Sequence, residues 1–367
     1  MKKLKVIISG GGTGGHIFPA LSIANELKAR IPEVDILFVG ALRKMEMERV
    51  PVAGYPIVGL PVIGLPRKLS FKMFTFLWLL NKSMGQARKI IRDFKPDIAI
   101  GVGGFASGPV LKAAVRKGVP SILQEQNSYA GKTNKWLAKH VRKICVAYPD
   151  MERYFPKNKI VITGNPFRQN LLEEVSRKEA FKLFGLKEDL PVILVLGGSL
   201  GAKTLNESIL SNLDLLSKSK VQILWQSGKI YYNSILERLN GKLRSNIQLH
   251  EFMTHMDKAY AVADLVISRA GAATISEICL LGKASVLVPS PNVAEDHQTK
   301  NAMALVNNDA AVMVKDSVAI NELFPTALKL VKDKNRLNQL AANSLQMAKP
   351  KATADIVNVI LNEVNAL

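Results

Sequence analysis

Short, apolar-rich runs recur through the first half of the chain, at Val6–Ser9, Asp35–Val39, Asp97–Val102, Ser121–Gln124, Lys143–Ala147 and Ile160–Thr163. Each is bounded by Gly, Pro or charge and is nearly continuous rather than alternating, the pattern of strands buried on both faces of a parallel sheet. Between them lie stretches with apolar residues at helical spacing. The second half restarts the cycle: PVILVLGGSLGAKTLNESIL (Pro191–Leu210) reads strand, glycine turn, helix. Further strands are expected at Val221–Trp225, Ile247–Phe252, Leu265–Ser268, Ala284–Pro289 and Ala311–Val314. The restart predicts two doubly wound α/β sheets in tandem. The break is expected near the turn-forming Gly164–Asn165–Pro166, dividing the chain into domains 1–166 and 167–349. A last helix, Ala352–Leu367, follows Pro350 and is expected to pack back on the N-terminal domain.

Two segments depart from this rhythm. VPVAGYPIVGLPVIGLP, residues 50–66, reads as a surface connection that is unusually apolar. The stretch Pro66–Lys89 mixes Phe71, Phe74, Leu77, Trp78 and Leu80 with Lys68, Lys72, Lys82, Arg88 and Lys89. Spacing alone favours a buried core helix there. A basic aromatic face against anionic lipid is the competing reading.

Charge adds weight to the second. Residues 1–166 carry 27 Lys/Arg against 10 Asp/Glu, whereas residues 167–367 carry 23 against 20, so nearly all of the net +20 sits in the N-terminal half. That half is expected to meet something anionic: nucleic acid, an acidic lipid surface or a phosphorylated substrate. The chain's 367 residues suit two domains with cores of their own, and 48% hydrophobic with 22% charged residues describes a globular protein. The two cysteines, Cys145 and Cys279, show no metal-ligand spacing and read as buried thiols of a reducing compartment. The opening MKKLKVII has the look of a signal peptide, but its apolar run stops at Ser9 and Gly10, so a first buried strand explains it better. No apolar run approaches the roughly 20 residues that span a bilayer, so the protein is expected in the cytoplasm or lying on a membrane.

The chemistry concentrates at the glycine turns. In VIISGGGTGGHIFPALSIANEL (Val6–Leu27) a strand runs into five glycines and then a helix beginning at His16. Such a turn can present bare backbone N–H groups to a phosphate. Gly10, Gly12 and Gly15 satisfy G-x-G-x-x-G, but the second strand ends Val39–Gly40–Ala41 without the acid that a dinucleotide site places on a ribose. The P-loop lysine is also missing, its place taken by His16, and GGSLGAKT has Ala202 where a P-loop has its second glycine. DIAIGVGGFASGP (Asp97–Pro109) supplies a second strand-to-glycine turn, at Gly103 and Gly104, expected beside the first in the ligand crevice of the sheet. In ADLVISRAGAATISEICLLGKASVLVPSPNVAEDHQTKNA (Ala263–Ala302) a strand ends at Ser268 and a helix starts near Ala272–Thr274, again an anion site. Glu277 in that helix serves either its dipole or a sugar hydroxyl. Glu295, Asp296, His297 and Gln298 suit hydroxyl recognition, and no His/Asp/Glu cluster demands a metal.

GGGTGGHIFPAL, GVGGFASGP, QEQNSYAGKTNKWLA, GNPFR, LGGSLGA and SRAGAATISE, in this order and covering nearly the whole chain, resemble the MurG family of glycosyltransferases. The resemblance implies the GT-B fold, two tandem Rossmann-like domains with a cleft between them. It implies inverting transfer of N-acetylglucosamine (GlcNAc) from UDP-GlcNAc to the MurNAc 4-hydroxyl of lipid I, making lipid II, without a cofactor or an obligatory metal. It places Thr13, Gly14, Gly15, Asn127, Arg168 and Ser199 at the donor, and Met253 at the uracil through its backbone, where isoleucine is frequent. It puts Ala272, Ala273, Thr274, Ile275 and Ser276 at the phosphates, Glu277 on the ribose and Gln298 on GlcNAc. Gly103, Gly104 and Asn134 fall on the acceptor side. His16 is the expected general base, with Glu125 its competitor, and an alternative role for His16 is to hold the acceptor pyrophosphate. Phe71, Phe74, Leu77, Trp78 and Lys72 would meet the membrane, at the cytoplasmic face of the inner membrane, as a peripheral protein. Two rivals stand beside this reading. One is a GT-B transferase or epimerase with a soluble acceptor. The other, a nucleic-acid-binding protein, finds none of the familiar motifs in the chain.

Overall fold

The computed structural model describes residues 3–12, 14–64, 72–198, 200–293 and 296–366. The chain divides into two compact units, Met1–Arg168 with Pro350–Leu367, and Gln169–Lys349.

In the first unit the strands β1 (Lys5–Ser9), β2 (Asp35–Ala41), β3 (Ile57–Leu60), β4 (Ile98–Gly101), β5 (Ser121–Glu125), β6 (Lys143–Val146) and β7 (Ile160–Ile162) form one parallel sheet. Among the described residues its order is β3-β2-β1-β4-β5-β6-β7. The direction of winding reverses between β1 and β4, which pair from Val6 with Ile98 to Ser9 with Gly101. A reversal of this kind opens a crevice beyond the strand C-termini. Helices α1 (Gly14–Arg30), α2 (Glu46–Val52), α3 (Lys72–Phe94), α4 (Ser107–Arg116) and α5 (Lys132–Leu137) connect the strands. Val6, Ile7 and Ile8 are all fully enclosed because both faces are covered, which is why the strands read as unbroken apolar runs. One face packs Ile7, Leu111 and Leu123; the other packs Ile8, Ile23 and Leu27 with Ile356, Val357 and Ile360. The last three belong to the C-terminal helix, Ala352–Asn365. Arg30 of α1 anchors that helix through Asn358 Oδ1 at 2.6 Å.

The apolar connection expected at residues 50–66 is instead partly structure: α2 runs to Val52, and β3 pairs in parallel with β2. Its Ile-Val-Gly-Leu run is only four residues long between prolines, too short to stand out from a loop. The amphipathic segment divides between the buried and the exposed reading. The C-terminal half of α3 buries Ser83, Ala87 and Ile91, but the N-terminal half leaves Phe74 72% and Trp78 62% exposed, with Leu77 exposed between them. Lys82 Nζ sits 5.2 Å from the Trp78 ring centroid, so a cation borders the aromatic face.

The second unit has β8 (Val192–Leu196), β9 (Gln222–Gln226), β10 (Ile247–His250), β11 (Leu265–Ser268), β12 (Ser285–Leu287) and β13 (Val312–Met313). They form a parallel sheet ordered β10-β9-β8-β11-β12-β13 among the described residues. Its helices are α6 (Arg177–Phe184), α7 (Lys203–Ser211), α8 (Leu213–Ser217), α9 (Tyr232–Leu239), α10 (Met256–Val262), α11 (Ala272–Leu280), α12 (His297–Val306), α13 (Ala319–Lys332) and α14 (Lys334–Gln346). Trp225 is fully buried on β9, and its indole N–H donates to Asn206 Oδ1 at 2.9 Å, so the largest core side chain leaves no orphaned donor. Among the described residues no helix is long and apolar enough to cross a membrane.

Candidate active site

In the first unit, two glycine turns leave the neighbouring strands β1 and β4 and press against each other. Gly104 has φ +87°, and a Cβ there would lie 2.4 Å from the Gly11 carbonyl oxygen, so only glycine permits the approach. Ser107 Oγ, at the start of α4, contacts both Ser9 O (2.8 Å) and Gly103 O (2.9 Å) and locks the two turns together. His16, in the first turn of α1, lies across this junction. Its Nδ1 is 3.1 Å from Gly11 O, and a Cβ on Gly103 would meet its Nε2 at 2.9 Å.

Sequence reasoning missed the partner beneath. Glu46, the first residue of α2, is 1% exposed. Both of its carboxylate oxygens accept from Gly12 N, at 3.0 and 2.9 Å, and Oε1 also accepts from Ala41 N at 2.9 Å. The acid absent from the end of β2 arrives five residues after Ala41 and binds the loop's own N–H groups rather than a ribose. The sequence offered little signal, since Glu46 shares its short helix with Glu48.

At the end of β5, Gln124, Glu125 and Gln126 are all buried. Glu125 accepts from Asn127 N (3.1 Å) and Asn127 Nδ2 (3.2 Å) on one oxygen, and from Gly131 N (3.0 Å) and Asn134 Nδ2 (2.9 Å) on the other. Burial pushes its carboxyl above the usual carboxylate range, and these four donors pull it back toward ionisation. The Asn134 Oδ1 is buried with no partner among the described residues. Gln124 Nε2 donates to Asn165 Oδ1 (3.1 Å) and Asn165 Nδ2 to Gln126 O (3.0 Å), tying the GNPFR segment to β5. Arg168 lies over Phe18 of α1, 4.6 Å from the ring centroid.

The second unit holds part of the expected donor set, Met253, Ala272–Glu277 and Gln298. Gly201, at φ +92°, would place a Cβ 2.2 Å from Ser227 O, so the third glycine loop is pinned onto the end of β9. Gln226 braces the same region, donating from Nε2 to Gly198 O (3.1 Å) and accepting from Met253 N at 2.9 Å. The Met253 N–H is thus bonded within the protein. Helix α11 starts after Gly271, and among the described residues no side chain caps it. Its first N–H groups therefore retain the positive end of the helix dipole for a ligand. Further along, Glu277 is 7% exposed, and its Oε2 accepts from Tyr260 OH at 3.0 Å. Arg269 holds the entry to this helix in place through Val288 O, Pro289 O and Asp316. Gln298 Oε1 accepts from Ser290 N at 2.8 Å, which orients its side chain from α12.

Gly14, Gly15, His16, Gly103, Gly104, Glu125, Asn127, Asn134 and Arg168 thus belong to the first unit, and Met253, Ala272–Glu277 and Gln298 to the second. Thr13, Ser199, Phe71, Glu295 and the Lys72 side chain lie outside the described residues. Among the described residues no group of three or more His, Cys, Asp or Glu could hold a metal ion.

The chain matches the glycosyltransferase family 28 N-terminal domain over residues 6–146 and the glycosyltransferase family 28 C-terminal domain over residues 192–356. It is 57% identical, over 90% of each chain, to the UDP-N-acetylglucosamine–N-acetylmuramyl-(pentapeptide) pyrophosphoryl-undecaprenol N-acetylglucosamine transferase of Parabacteroides distasonis. The crystal structure of Acinetobacter baumannii MurG is 30% identical, with a TM-score of 0.76 over 98% of this chain and 100% of that one. The chain belongs to the MurG family. A transferase of the same name from Cytophaga hutchinsonii is 52% identical over 99% of this chain and 98% of its own, so the likeness to MurG proteins runs from end to end. The two parallel Rossmann-like sheets are those of the GT-B fold that MurG enzymes have.

Proposed function

We propose that the enzyme transfers GlcNAc from UDP-GlcNAc to the MurNAc 4-hydroxyl of lipid I, undecaprenyl-pyrophosphoryl-MurNAc-pentapeptide, giving lipid II and UDP. The observation that carries this is the 57% identity over nine-tenths of both chains to a transferase bearing that reaction in its name.

The residues divide the chemistry. In an inverting displacement the 4-hydroxyl oxygen attacks the anomeric carbon while a base takes its proton and UDP leaves with the bonding pair. His16 takes the proton. Glu125 is the poorer base, because its carboxyl is enclosed and accepts four N–H bonds that organise the Asn127–Gly131 loop. The departing charge falls on the diphosphate, and the uncapped N-terminus of α11 stabilises it with amides already aimed. Glu277, held by Tyr260, accepts from a ribose hydroxyl, and Gln298 reads the sugar. Asn134 braces Glu125, and through it the Asn127–Gly131 loop, on the acceptor side.

The acceptor's polyprenyl chain keeps it in a bilayer, and the exposed Phe74, Leu77 and Trp78 of α3, bordered by Lys82, suit the surface of an anionic membrane. We place the enzyme there as a peripheral protein, at the cytoplasmic face. The same feature disfavours a soluble acceptor, which has no use for such a face. The test is UDP-GlcNAc-dependent labelling of a lipid I analogue in anionic vesicles. Lipid II formation is the expected result; turnover of soluble acceptors only would overturn the assignment.

A further inference from the structure

We infer that Glu46 is a positioning residue of the transfer reaction, acting on His16 through the peptide group that joins Gly11 to Gly12. The inference rests on His16 being the base.

One peptide unit carries both bonds. Its N–H, on Gly12, donates to the Glu46 carboxylate at 2.9 and 3.0 Å, and its C=O, on Gly11, lies 3.1 Å from His16 Nδ1. A carbonyl oxygen only accepts, so Nδ1 carries the proton, and Nε2 is the basic nitrogen of the neutral ring. The assembly is shaped around the carboxylate. A Cβ on Gly11 would lie 2.0 Å from Glu46 Oε1, and one on Gly40 would lie 2.5 Å from Glu46 Cγ, so these two glycines make room for this side chain. Gly104 closes the other side, with its own Cβ position 2.4 Å from Gly11 O.

The arrangement is a carboxylate–peptide–imidazole chain. In a Ser-His-Asp triad the carboxylate bonds the imidazole directly, sets its tautomer and stabilises the imidazolium formed when the base takes a proton. Here a peptide lies between. A carboxylate on the N–H polarises the amide and strengthens its carbonyl as an acceptor, since hydrogen bonds in series reinforce one another. The carboxylate thereby favours the protonated imidazole and fixes Nε2 as the nitrogen that accepts. Of the other charged groups at this end of the sheet, Arg168 stacks on Phe18, two residues along α1, and Glu125 is enclosed by its own donors, while the N-terminal end of α1 itself disfavours an imidazolium. Glu46 is therefore the group that supports the charged ring. It also occupies the Gly12 N–H of the first glycine turn, which takes that donor away from a substrate phosphate.

The test is Glu46→Gln, with the pH profile of kcat measured on a lipid I analogue. The plateau falls on the order of 10-fold to 100-fold. The acid limb, which follows deprotonation of His16, moves to lower pH because the imidazolium has lost its support. KM for UDP-GlcNAc stays within about twofold, as the nucleotide is held elsewhere. Histidine-selective 15N NMR of the same variant shows the His16 pKa lowered and its tautomer mixed. A merely structural role lowers the plateau and leaves both the limb and the His16 titration in place; either that result or an unchanged plateau overturns the inference. Should Glu46→Gln not fold, Glu46→Asp keeps a carboxylate one methylene short, and the same displaced titration is expected; an unmoved one overturns the inference. His16→Ala tests the underlying reading separately, since retained turnover there removes the base whatever Glu46 does.

Discussion

The glycine turns of the two units look alike in sequence and differ in what fills them. In the first unit the turn after β1 has Glu46 on its Gly12 N–H, and the loop after β5 has Glu125 on the N–H groups of Asn127 and Gly131. In the second unit α11 begins after Gly271 with no side-chain cap among the described residues, as α4 also does after the second turn of the first unit. Strand, glycine and helix start therefore do not by themselves define a phosphate site. A turn whose N–H group already has a carboxyl partner is held as scaffold, here with His16 on the carbonyl of the same peptide. A turn left uncapped keeps its dipole for the ligand.

Three variants bear on that comparison. His16→Ala should lower kcat by about 100-fold or more, the range for loss of a general base, with UDP affinity in calorimetry within about threefold. A parallel loss of UDP affinity would move the nucleotide toward the first turn. Phe74→Ala with Trp78→Ala should weaken partition onto anionic vesicles by about 10-fold to 100-fold, given the apolar surface each aromatic buries. Turnover of a short-chain acceptor in detergent should barely change; equal loss in both assays would make α3 a structural helix only. The third and smallest effect concerns Glu125. Burial raises its folded pKa above that of the unfolded chain, so the folded state keeps the proton to a higher pH. Its contribution to stability is then fully present in acid, below the ordinary carboxyl value, and is lost as pH rises through the raised one. Urea titrations of wild type and Glu125→Gln should show the wild type losing ground to the variant across that window. The opposite slope would mean that the four N–H donors outweigh burial.

The parallel sheets were legible because buried strands announce themselves as unbroken apolar runs; β11 matches its expected range, Leu265–Ser268, residue for residue. β3 was not legible, because four residues between prolines carry too little pattern to separate strand from loop. The exposed half of α3 was legible from the one-sided charge and not from spacing. Spacing gives the face of a helix but not whether anything covers it, and Phe74 and Trp78 are as apolar as core residues. Much of the candidate site follows from motifs that sit at strand ends, where a sequence shows its glycines plainly. Glu46 escaped because its role depends on β2 lying beside β1, which brings Ala41 and Gly12 to one carboxylate. Nothing in MEMERVP marks that Glu from its neighbour Glu48.

The most direct test of the account is a UDP titration by calorimetry on wild type, Ala273→Asp and Glu46→Gln. Asp at the second position of α11 suits the helix dipole, so the fold is kept, but it sets a negative charge where the diphosphate binds. The account predicts UDP affinity about 10-fold to 100-fold lower for Ala273→Asp and within about twofold of wild type for Glu46→Gln. Unchanged binding by Ala273→Asp together with lost binding by Glu46→Gln would contradict it, and would return the nucleotide to the first glycine turn.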